Sequence, residues 1–121
     1  MSYCRWSSDN WKSDVYIYDG SEGITCHVTT YFYDGYIPKL PDITKVSNKV
    51  FREAYLRQKR VMESCPKKKH PSPMAGQTFW ARDPKDMIFK LEQLQLEGFH
   101  VPEYVFEVLG ADAQGETNDN T

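Results

Sequence analysis

The run Ser13-Asp14-Val15-Tyr16-Ile17-Tyr18 alternates two kinds of side chain, so that Val15 and Ile17 fall on one face of an extended chain and Tyr16 and Tyr18 on the other. Such a strand offers one aliphatic face to a core and carries a second, aromatic face. Asp19-Gly20-Ser21-Glu22-Gly23 follows, with two glycines able to adopt positive φ, and Ile24 to Phe32 resumes with β-branched and aromatic residues. The two runs predict an antiparallel hairpin. Asp34-Gly35 marks a further turn, and Pro38 and Pro41 impose an extended connector.

Downstream the period changes from two to that of a helix. Asp42 or Thr44 can cap a helix running to Ser64, with Val46, Val50, Ala54 and Val61 on one apolar stripe, Phe51 and Met62 beside it, and Pro66 as the stop. Pro66 to Pro73 reads as a proline-bounded basic loop, and Met74 to Trp80 as a short aromatic strand. Asp83-Pro84 then supplies a cap and a first helical residue. Met87, Ile88, Leu91 and Leu94 form the buried stripe, Gly98 ends the helix in the left-handed conformation, and Phe99 folds back as its hydrophobic contact. Val101-Pro102 opens a last short helix with Val105, Val108 and Leu109 inward. The expected fold is α+β, a small antiparallel sheet packed against one long helix and two shorter C-terminal ones. It forms a single domain over residues 1–109, followed by a flexible C-terminal tail over 110–121.

A chain of 121 residues has the size of one domain, and its 40% hydrophobic content excludes a wholly disordered protein. No apolar run reaches the roughly 18–20 residues that cross a bilayer, and Met1-Ser2-Tyr3-Cys4-Arg5-Trp6 lacks the basic-then-apolar pattern of a secretion signal. Cys4, Cys26 and Cys65 are odd in number and widely spaced, as in a reducing compartment, so a cytoplasmic location is expected.

The net charge of −2 conceals a division along the chain. Residues 1–36 sum to −3, residues 37–70 to +7 and residues 71–121 to −6. A basic middle between acidic ends fits a localised anion site, and equally a solvated lysine-rich helix face.

No catalytic constellation can be assembled. His27, His70 and His100 fall in a strand, a loop and a turn without metal-ligand spacing, and the glycines form neither a nucleophile elbow nor a phosphate loop. Cys26 and His27 are adjacent strand residues and point to opposite faces. No catalytic residue, metal or cofactor is therefore expected, and recognition remains. Arg57 and Arg60, at i, i+3 on the long helix, and Arg82 are candidate phosphate contacts. Phe79 and Trp80 are candidate stacking surfaces, although strand alternation sends one of them to the core. His100 completes the set, against its plainer reading as a solvent-facing turn residue. Seventeen aromatic residues exceed the needs of so small a core, and a ligand site is easier to form between subunits, so a homo-oligomer is expected.

The opening Met1 to Asn10, Asp14-Val15-Tyr16-Ile17-Tyr18, Ala75-Gly76-Gln77-Thr78-Phe79 and Gly98-Phe99-His100-Val101-Pro102 resemble a family of small phage and prophage proteins. Within it, the chain resembles the Thoeris anti-defence proteins of the first type, which sequester the cyclic ADP-ribose signal of bacterial TIR-domain proteins. The resemblance implies a sponge that holds cyclic nucleotides, cyclic oligonucleotides at separate sites among them, without cleaving them, in the host bacterial cytoplasm, built as dimers joined into a hexamer. His100 stands where the family commonly carries an arginine. Two other classes fit the residues. One is a phage inhibitor that binds a nucleic-acid-guided defence nuclease by direct protein contact, its acidic ends imitating phosphates. The other is a direct nucleic-acid binder using residues 45–69, against which the negative overall charge counts.

Overall fold

The computed structural model describes residues 2–119, with side chains as far as residue 114. Four strands form an antiparallel sheet in the order β1-β2-β3-β6, from β1 (Ser2–Cys4), β2 (Val15–Gly20), β3 (Gly23–Val28) and β6 (Thr78–Ala81). The hairpin is in register from Val15 opposite Val28 to Gly20 opposite Gly23, which leaves Ser21 and Glu22 as its two-residue loop. Val15, Ile17, Ile24 and Cys26 point to one face, where they are buried against α3 (Pro84–Leu96) and α4 (Glu103–Asp119). Met87, Leu91, Leu94, Val105 and Leu109 supply the helical side of that core. Each of these larger aliphatics, fully withdrawn from water, contributes roughly 1.5–3 kcal/mol.

The boundaries of α3 follow local chemistry. Asp83 accepts the backbone N–H of Asp86 at 2.9 Å, with Pro84 occupying the first turn. At the other end Gly98 takes a φ of +96°. The Gly98 N–H then reaches the Gln95 carbonyl and the Phe99 N–H the Leu94 carbonyl, both at 3.0 Å, and Phe99 is buried. These paired bonds satisfy carbonyls that the helix itself leaves open.

Other elements depart from the sequence expectation. The strand expected over Ile24 to Phe32 stops at Val28, and β4 (Tyr31–Tyr33) leaves to pair with β5 (Lys67–Lys69) in a second, two-stranded sheet. The basic loop thus contains a strand: its prolines flank the three lysines and remove no donor from the ladder, and Lys68 pairs with Asp34 at 2.7 Å. The long helix, α2 (Asn48–Ser64), starts later than expected. Asp42 spends its carboxylate on the N–H and hydroxyl of Thr44, bonds that hold its pKa below the ordinary value, and Ser47 takes the capping position by accepting from the Val50 N–H. Pro66 holds Cys65 extended and ends the helix there.

The stripe on α2 is not a core stripe: Val50 is 47% exposed, and the one buried α2 side chain is Gln58. The last helix, expected to end at Leu109, runs through Gly110 to Asp119, across most of the stretch assigned to a tail. Ala113 extends the buried series Val105, Leu109 at i+4 spacing, and Tyr3 donates to Asp112 at 2.6 Å, which ties this turn to β1. Residues 120 and 121 of that expected tail lie outside the described residues. A single turn missed by sequence reading, α1 (Ser8–Trp11), carries Asp9, Asn10 and Trp11 at φ of 53°, 56° and 65°. No helix among the described residues is long and apolar enough to cross a membrane.

Candidate functional site

The register of β6 sorts the predicted stacking pair. Phe79 lies opposite Cys26 and follows it toward the helices, where it is half-buried against the core. Trp80 lies opposite Thr25 on the other face and is 49% exposed. Both residues, with Arg82, line a cleft of about 570 Å³ between β6 and α3. That volume suits a compact nucleotide-sized ligand, since small-molecule pockets span roughly 300–1,000 Å³. Phe89 stands 64% exposed on the α3 side of the cleft, and the Lys90 ammonium lies 5.9 Å from the centre of the Phe79 ring. Arg82 is exposed and makes no ion pair among the described residues. The cleft therefore combines flat hydrocarbon faces with two cations, while Asp86 and Glu97 at its rim disfavour a ligand that is anionic along its whole length.

Sequence reading reached Phe79, Trp80 and Arg82 but passed over Phe89 and Lys90. A signal was available: Phe89 falls off the buried stripe of Met87, Leu91 and Leu94, and an off-stripe phenylalanine on a surface helix faces water or a partner.

Beside Trp80 the outer sheet face carries Tyr16 and Tyr18, which alternation assigned to it. Trp6, Tyr16, Tyr18 and His27 form a row with ring centres 5.7, 6.0 and 5.5 Å apart. His27 is held at both ring nitrogens, by Thr78 Oγ1 at 2.9 Å and the Tyr18 hydroxyl at 3.3 Å.

The remaining candidates lie elsewhere. Arg57 and Arg60 are exposed on α2 and do not line the β6–α3 cleft. Their helix is fastened through Gln58, whose amide donates to Asn10 Oδ1 at 3.1 Å and to the Pro38 carbonyl at 2.8 Å. His100 borders a different cleft of about 510 Å³, where its Nε2 meets Asp9 Oδ2 at 2.5 Å, near Lys12 and His70.

Among the described residues, no group of three or more His, Cys, Asp and Glu side chains is placed to hold a metal ion. The buried thiols are poor nucleophiles: burial, with Cys4 nearby, pushes Cys26 up to about 12, and burial raises Cys4 as well. Fold and cleft together define an α+β domain with a recessed aromatic and cationic groove at the edge of its sheet. Family profiles, curated proteins and solved structures offer no match to the chain.

Proposed function

We propose that this protein is a non-catalytic binder that sequesters a cyclic nucleotide signal of the cyclic ADP-ribose class in the cleft between β6 and α3. The observation that carries the reading is the meeting of Phe79, Trp80 and Arg82 in one nucleotide-sized cleft, joined there by Phe89 and Lys90. A nucleobase stacks on an aromatic face, and a pyrophosphate is gripped by a guanidinium with an ammonium in support. Binding alone suffices for the biological effect, since a protein in excess of the signal lowers its free concentration by mass action and keeps the effector off. The resemblance to small phage anti-defence proteins supports the same reading and implies action in the infected bacterial cytoplasm.

The test is to incubate the purified protein with a panel of cyclic nucleotides, remove free ligand, denature the protein by heat and analyse what is released. Intact cyclic ADP-ribose species are the expected product. A chemically altered ligand would make the protein an enzyme, and an empty protein across the panel would remove the reading. Arg82→Ala and Trp80→Ala should each weaken binding at least fivefold in calorimetry, in line with about 1.5–3 kcal/mol for a charge-assisted hydrogen bond and about 1–3 kcal/mol for a stacked base.

A further inference from the structure

α2 carries Val50, Phe51, Tyr55, Leu56, Val61 and Met62, yet Gln58 is its one buried side chain. On its outer face Leu56, 41% exposed, has Arg52, Lys59 and Arg60 at i−4, i+3 and i+4, the spacings that bring helix side chains together, with Lys49 one turn beyond Arg52. None of these cations makes an ion pair among the described residues. Over its full length α2 carries five basic residues against two acidic ones. Such a face cannot close on its own copy across a twofold axis without opposing like charges.

The complementary face is on the same chain. α4 carries five acidic residues and no basic ones over Glu103–Asp119. Glu103, Tyr104 and Glu107 lie on its outer side with Ala111, all exposed, and Tyr104 is 42% exposed. Tyr104 is held by its hydroxyl, which donates to Ser8 Oγ at 3.0 Å, so its ring is already fixed in position. Neither Glu103 nor Glu107 makes an ion pair among the described residues.

We infer that α2 docks on α4 of a second copy of this chain, with Leu56 against Tyr104 and the surrounding arginines and lysines against Glu103 and Glu107. In a twofold pair the contact occurs twice, because each copy presents one basic and one acidic helix. Reciprocity also doubles the buried surface, which a small helix-on-helix patch needs to approach the roughly 1,200–2,000 Å² of a specific interface. This assignment does not depend on nucleotide binding.

The test uses sedimentation velocity on the full chain at low and moderate salt. The wild type should sediment above monomer mass and dissociate as salt rises. Arg52→Glu with Arg60→Glu should raise the dissociation constant at least tenfold, and so should Glu103→Lys with Glu107→Lys. An equimolar mixture of the two variants should restore the complex, since each then offers the charge that the other has lost. Circular dichroism melts matching wild type keep loss of fold apart from loss of contact. A wild type that stays monomeric at high micromolar concentration overturns the inference. Reversed variants that keep the wild-type mass, or a mixture that fails to reassociate, would do the same, as would a monomer that acquires mass only with added RNA or another protein. Nucleotide retention, measured in the same samples, tests the cleft separately.

Discussion

His70 Nε2 lies 3.2 Å from Asp14 Oδ2, with each side chain only 8% exposed. The two atoms are within ionic reach but not aligned as a hydrogen bond, and among the described residues His70 Nε2 has no hydrogen-bond partner. The same Asp14 oxygen accepts the backbone N–H of His100 at 2.7 Å, while the His70 ring sits between Phe32 and Phe99 at centre distances of 4.6 and 4.4 Å. One carboxylate thus ties the start of β2 to the β4–β5 sheet and to the α3–α4 turn. Asp14→Ala takes the acceptor from the His100 N–H and the neighbouring carboxylate from His70 Nε2, and a bare buried group costs about 1–3 kcal/mol. Urea denaturation should show that loss, and His70→Phe, which removes the histidine's own need for a partner, should cost less than Asp14→Ala. The reverse order would place the stabilisation in the ring contacts instead.

Gly23 links the hairpin to the candidate site. Its φ is +142°, and a Cβ there would lie 2.6 Å from the Ala81 carbonyl oxygen and 2.9 Å from Trp80 Nε1. Gly23→Ala should therefore cost about 1–3 kcal/mol in strain and contact. It should also displace the Trp80 indole, which a change in tryptophan emission relative to a Trp80→Phe background would report. Wild-type emission and stability together would mean that the hairpin end yields without moving Trp80.

How much was legible in the sequence depended on how local the determining physics is. Asp83, Pro84, Gly98 and Phe99 set both ends of α3 through contacts within a few residues, and all four roles could be read off directly. The alternation of Val15 and Ile17 with Tyr16 and Tyr18 likewise gave both faces of the sheet. The β4–β5 pairing was not legible, because Lys67–Lys69 has no strand pattern and its partner lies more than thirty residues away. Periodicity located Arg57 and Arg60 on α2 but carried no information on where that helix docks, so the sequence reading grouped them with Phe79, Trp80 and Arg82. In α1, Asp9 and Asn10 are residues that tolerate the left-handed region, whereas nothing about Trp11 announces it.

The cap on α3 offers a measure of local against tertiary stabilisation. Asp83→Ala removes the acceptor for the Asp86 N–H and should cost about 0.5–2 kcal/mol. Asp83→Asn, which keeps an oxygen in the capping position, should cost less. Since Asp86 and Phe89 line the cleft from the first turns of this helix, fraying there should also weaken nucleotide retention. Equal melting temperatures for wild type and Asp83→Ala would show that packing of Met87 and Leu91 holds the helix start without its cap.

Alkaline pH should unfold the protein through its core thiols. Cys26 is fully buried between sheet and helices, and its pKa rises from an ordinary 9.0 to about 12 because burial disfavours the thiolate, with Cys4 adding to the effect. The folded chain therefore holds the Cys26 proton through a range in which the unfolded chain releases it. Below pH 9 the resulting stabilisation is complete, and as pH climbs from 9 toward 12 it is lost. The slope for one such thiol is about 1.4 kcal/mol per pH unit, so Cys26 should account for a decline of about 2 kcal/mol by roughly pH 10.5. Lysines and tyrosines titrate over the same range, and the comparison that isolates the thiol is Cys26→Ala. That variant should start from a lower stability at pH 8, because it leaves a small void, but fall less steeply above pH 9 in urea titrations. Parallel curves for the two proteins would locate the alkaline sensitivity elsewhere. In the native state at pH 8 a thiol reagent should modify Cys65, the half-buried cysteine, well before Cys4 or Cys26, whose reaction should follow the rate of opening of the sheet.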